Sequence, residues 1–85
     1  MKKGDLVYRR NNNNVFYHVV RGEYTACFME KQDYEMLEHG LGHLAGVYMS
    51  AIDVVPLSGH MAGQVLKKQK VSRFIKAKSE NPEVN

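Results

Sequence analysis

The chain has 85 residues, 44% of them hydrophobic and 25% charged, with no tryptophan and a formal net charge of +3. That length allows one domain with a small core, because so short a chain buries only about 60% of the surface its unfolded form exposes. The single cysteine, Cys27, excludes an intrachain disulfide, and no apolar run reaches the ~18 residues of a membrane-spanning helix. Lys2-Lys3 are followed by Gly4 and Asp5, and the apolar run Leu6-Val7-Tyr8 ends at Arg9-Arg10. No targeting segment is therefore expected, and a reducing cytoplasm is the compartment implied.

Three short strands are predicted first, over Asp5–Arg9, Val15–Val20 and Tyr24–Met29. Leu6 and Tyr8 face one side of the first strand, Val7 and Arg9 the other. Arg10 and the asparagines Asn11–Asn14 suit a hairpin loop, since Asn tolerates positive φ. The second strand, Val15-Phe16-Tyr17-His18-Val19-Val20, is β-branched and aromatic, apolar on both faces except at His18. It reads as a central strand buried on two sides, with His18 partly buried. Arg21-Gly22-Glu23 reads as a tight hairpin loop into the third strand.

The pattern then changes. Asp33 can cap a short helical insert near 33–39, with acids in its first turns where the helix dipole favours them. Gly40, Gly42 and Gly46 make a loop of residues 39–46. A fourth strand is expected over Val47–Ala51, then a tight turn and a closing strand through Asp53-Val54-Val55-Pro56-Leu57, with Pro56 suited to an edge or a strand terminus. In residues 61–78 a helical wheel places Met61, Val65, Val71 and Ile75 on one stripe, with Leu66 and Phe74 off it. This segment is read as a helix, although Val71–Ile75 fits a strand equally well. Ser79–Asn85 is polar, contains Pro82, and is expected to be frayed.

Close-set short strands indicate a mainly β domain with short helices: a small barrel or a strongly bent antiparallel sheet, followed by a C-terminal helix. Lys3-Gly4-Asp5-Leu6-Val7 resembles the opening of SH3-like small barrels, including the KOW-type group. In those proteins a tyrosine- and valine-rich second strand and a short apolar closing strand follow. Tyr17-His18-Val19-Val20 and Asp53-Val54-Val55-Pro56-Leu57 take those places here. The resemblance covers roughly residues 2–57 and implies a barrel; the insert near 32–46 departs from its simplest pattern. The domain expected is residues 1–60, with residues 61–85 as a basic extension.

Charge is unevenly distributed. Residues 1–60 carry six bases against seven acids, and residues 61–85 carry six bases against two acids. A near-neutral body with a basic end suits an anionic partner. Lys67, Lys68, Lys70, Arg73, Lys76 and Lys78 form the strip, with Phe74 placed to stack on an unpaired base and Arg9-Arg10 and Tyr8 or Tyr17 extending the surface. The partner expected is DNA or RNA, or a nucleic-acid-associated complex. The alternative is a protein-interaction module using a sheet edge or the acidic 30–38 segment.

Catalysis and cofactors are not expected. His39 and His43 are four apart beside Glu38, but glycines interrupt the spacing and no third ligand stands with them. Cys27, between Ala26 and Phe28, reads as a buried structural thiol. No glycine-rich phosphate loop and no nucleophile elbow occur.

Overall fold

A computed structural model describes residues 1–77, so Lys78 and the Ser79–Asn85 segment expected to fray lie outside the described residues. The elements are β1 (Leu6–Arg9), β2 (Asn12–Phe28), α1 (Lys31–Glu38), β3 (Val47–Pro56), β4 (Leu66–Lys70) and β5 (Phe74–Lys76), with 3-10 turns at Gly42–Leu44 and Val71–Arg73. The domain is mainly β. Its strands form one antiparallel sheet in the order β4-β3-β2-β1-β5, which does not close into a barrel because β4 and β5 do not pair. No helix among the described residues is long and apolar enough to cross a membrane.

Several sequence expectations are corrected, four of them in the strands and the C-terminal segment. The hairpin expected at Arg21–Glu23 is absent, and β2 runs through it as one strand. Gly22 serves a close approach rather than a turn: a Cβ there would sit 3.3 Å from the Met1 carbonyl oxygen. The turn expected within residues 51–57 is likewise absent, since Val47 to Pro56 is continuous. Two-sided burial of the second strand fails as well. Tyr17 and Val19 are buried while Phe16, His18 and Val20 are exposed, because a single bent layer has only one inner face.

The C-terminal helix is the fourth correction. Residues 66–76 form strands β4 and β5 around a 3-10 turn, in the same sheet as β1, β2 and β3, so no structural boundary falls at residue 60. A helix would have buried Val65 and left Phe74 off the packing stripe. Pairing of Arg9 with Phe74 across β1 and β5 instead sends Phe74 into the core, at 2% exposure, while Val65 stays exposed. Tertiary burial of the large aromatic outweighs the local helical pattern. The core gathers Val7, Tyr17, Val19, Ile52, Val54 and Phe74.

β2 does not match β3 residue for residue. Val19 pairs with Val54, Arg21 with Asp53 and Tyr24 with Ala51, so β2 carries an extra residue on either side of Arg21. β4 does the same on the far side of β3, where Ile52 pairs with Gln69 but Val54 with Leu66. Bulges bend the strand that holds them. All three irregularities fall opposite Asp53.

Beyond this bend the β2–β3 ribbon (Tyr24–Phe28 with Val47–Ala51) leaves the core as an arm, giving the molecule extents of 56 × 30 × 20 Å. α1 lies at its end. Glu30 rather than Asp33 is the N-cap; the Asp33 carboxylate accepts the Glu30 N–H at 2.8 Å and a backbone hydrogen bond from Gly46. These bonds hold the carboxyl below the usual range and tie α1 to the start of β3. Gly46 has φ +81°, and a Cβ there would collide with Cys27 Sγ, so the turn into β3 requires glycine.

Asp53 is 7% exposed. Its Oδ1 accepts the Tyr24 hydroxyl at 2.5 Å and the Lys68 N–H at 2.8 Å, and Arg21 lies over the Tyr24 ring at 3.8 Å. Burial pushes the Asp53 carboxyl up, but those hydrogen bonds and the charges of Arg21 and Lys67 together hold it below the usual range. Stability contributed by this group is present above the unfolded value and is lost as pH falls through the folded one. Asp53→Ala should cost about 1–3 kcal/mol, read by urea denaturation. Wild-type protein should lose stability on acidification below about pH 4, more steeply than Asp53→Asn. Lys68 holds φ 56° in its bulge, so Lys68→Gly should keep or raise stability by up to ~1 kcal/mol.

Candidate nucleic-acid interface

β1 ends on Arg9, and the chain turns through Arg10 and Asn11 into β2. The pairing of β1 with β5 brings the 3-10 turn Val71–Arg73 beside that end. Arg10 N–H donates to the Arg73 carbonyl at 3.0 Å, and Arg10 Nε donates to the Ser72 carbonyl at 2.8 Å. Arg9, Arg10, Asn11, Ser72 and Arg73 line a cavity of about 260 Å³.

Arg9 is the inner member. Its guanidinium stands 5.7 Å from the Tyr17 ring centre and 5.8 Å from that of Phe74, within the range of cation–π attraction. Arg9 Nη2 lies 3.5 Å from Gln69 Oε1, and Arg9 Nε is buried without a hydrogen-bond partner. None of the three arginines forms an ion pair among the described residues. Three arginines thus line one concavity, with no acidic residue among those that line it. Such planar forks suit phosphate oxygens.

The remaining candidates are dispersed. Lys67, Lys68 and Lys70 lie on the edge strand β4. The Lys68 and Lys70 ammonium groups each stand 5.2 Å from the ring of Phe28, the last residue of β2, at the far end of the arm. Lys76, on β5, sits 3.7 Å from Asp5. The Asp5 carboxyl is held below the usual range by the Lys2 N–H, with the Lys76 charge assisting against burial. Phe74 cannot stack on a base, because it is buried edge-on against Tyr17 with ring centres 5.5 Å apart. Lys78 lies outside the described residues.

The one continuous strip expected along residues 67–78 is therefore replaced by an arginine cavity, a lysine edge and a Lys76–Asp5 pair. Sequence reasoning missed Ser72 and Asn11 on the cavity wall. No local pattern marks them, since their proximity follows from a strand pairing between residues 9 and 74. Among the described residues no three or more His, Cys, Asp and Glu side chains come together. His39 is the C-cap of α1, His43 stands in the following 3-10 turn, and Cys27 is half-buried. Compared with known protein families, with curated proteins and with solved structures, the chain matches none.

The placement of Phe74 separates a core role from a surface role. Phe74→Ala should destabilise the domain by about 3–5 kcal/mol in denaturant titration. Lys76→Ala should change stability by less than ~1 kcal/mol, as befits an exposed pair.

Proposed function

We propose that this protein is a non-enzymatic binding module that holds the phosphate backbone of a nucleic acid, DNA or RNA, in the cavity of Arg9, Arg10 and Arg73. The observation that carries the reading is the convergence of these arginines, from segments 62 residues apart at Arg10 and Ser72, around a wall without acids. A phosphate there would receive charge-assisted hydrogen bonds, and its counterions would be released. The lysine edge of β4 offers further contacts to a strand passing beyond the cavity. With Phe74 and Tyr17 buried, the arginine cavity has no aromatic platform among its lining residues, so recognition would be of the backbone and indifferent to sequence. The resemblance to SH3-like small barrels belongs to the same proposal. It is supported by a five-strand antiparallel order in which the last strand returns to the first.

Fluorescence anisotropy with labelled single- and double-stranded oligonucleotides tests the reading. Binding at ~50 mM salt should weaken with a log–log salt slope of about −2 to −3, as three phosphate contacts require. Arg10→Gln and Arg73→Gln should each reduce the magnitude of that slope by about 0.7–0.9. Lys76→Gln should have a smaller effect, because its ammonium already faces Asp5. Absence of binding at ~50 mM salt, or binding indifferent to both arginine variants, would overturn the assignment.

A further inference from the structure

The arm exposes the side chains that a small domain ordinarily hides. Tyr34, Leu37, Leu44, Val47 and Tyr48 are 57%, 49%, 60%, 61% and 74% exposed, and α1 has no buried residue at all. A helix of eight residues is unstable alone in water, and a two-stranded ribbon is marginal. Apolar groups gathered at one end of a molecule mark a contact surface.

The charge of the arm says what that contact is. Residues 30–48 hold the four acids Glu30, Asp33, Glu35 and Glu38 against the single base Lys31, while the rest of the chain holds eleven bases against five acids. The complement to an acidic, apolar arm is a basic surface with an apolar recess, and the body of the same chain has one. Val15, Tyr17, Pro56, Met61 and Leu66 line a cavity of about 330 Å³ with Arg9 on its wall, and Lys67 follows Leu66 in β4. Exposed Leu57 and Val65 adjoin these residues in the chain.

An arm cannot reach the recess of its own body. β3 begins at Val47 on the arm and ends at Pro56 on the recess, which sets the two about 30 Å apart along a continuous strand. A second copy laid antiparallel meets the same spacing from the other side. One two-fold axis then satisfies both arm-to-recess contacts.

We propose that this protein forms a two-fold dimer in which the acidic, apolar arm of each copy seats on the basic, apolar recess of the other. The recess shares Arg9 with the arginine cavity, so the dimer is tested with variants that leave Arg9, Arg10 and Arg73 in place.

Sedimentation velocity of the full chain, from about 1 to 200 µM, measures it; a micromolar dimer is expected, weakened about tenfold between ~50 and ~500 mM salt. An arm variant, Leu44→Asp with Tyr48→Asp, and a recess variant, Met61→Asp, should each be monomeric, with circular dichroism confirming that both remain folded. Mixed in equal amounts, they should form a heterodimer through the one intact arm and the one intact recess. A wild-type chain that stays monomeric at ~200 µM overturns the proposal. So does a folded recess variant that still dimerises, because arms would then be meeting arms, and so does a mixture that shows no heterodimer.

Discussion

Asp53 sits where β2 and β4 both depart from regular pairing with β3, and its carboxylate is what those departures share. A buried charge is costly unless it is paired and hydrogen-bonded. Here the Tyr24 hydroxyl reaches it from β2 and the Lys68 N–H from β4, so one acceptor serves strands on both sides. Tyr24 is pushed above its ordinary range, first by burial and then by the anion it serves. The bend that this group stabilises separates core from arm.

From that bend follow the two surfaces of the molecule. On the core side, β2 and β3 pack Val19, Ile52 and Val54 inward, and β1 closes over them with Phe74 from β5. The return of β5 to β1 delivers Ser72 and Arg73 to the end of β1, and so builds the arginine cavity. On the other side the ribbon runs on without a core beneath it. Its apolar side chains remain in solvent while its acids gather in α1. One small core thus supports a cationic concavity and an acidic projection, with Lys70 of β4 reaching the cavity that Glu30 and Asp33 line.

The body's positive charge is organised by packing as much as by number. Arg9 lies against the Tyr17 and Phe74 rings, which orient its guanidinium without neutralising it. Lys68 and Lys70 face Phe28 in a similar way. Lys76 is spent locally on Asp5. A lysine strip that looks uniform in one dimension becomes three distinct environments once strand pairing places its members.

Local chemistry determined several things directly. The β-branched run Val15–Val20, the turn at Gly4-Asp5 and the acidic helix before Gly40 each carry their conformational preference within a few residues, and a strand, a turn leading into β1 and a helix stand at those places. The basic bias of residues 61–85 and the acidic bias of residues 30–38 are likewise plain in composition. Tertiary structure decided whether Arg21–Glu23 would turn or run straight, because β2 stays paired with β3 on both sides of Gly22, at Arg21 with Asp53 and at Tyr24 with Ala51. It also decided that Phe74 would be core and that residues 66–76 would be strands, through a pairing with β1 more than sixty residues earlier. Helical periodicity and a pair of short strands can coexist in one apolar pattern, and only the burial offered by a distant partner chooses between them.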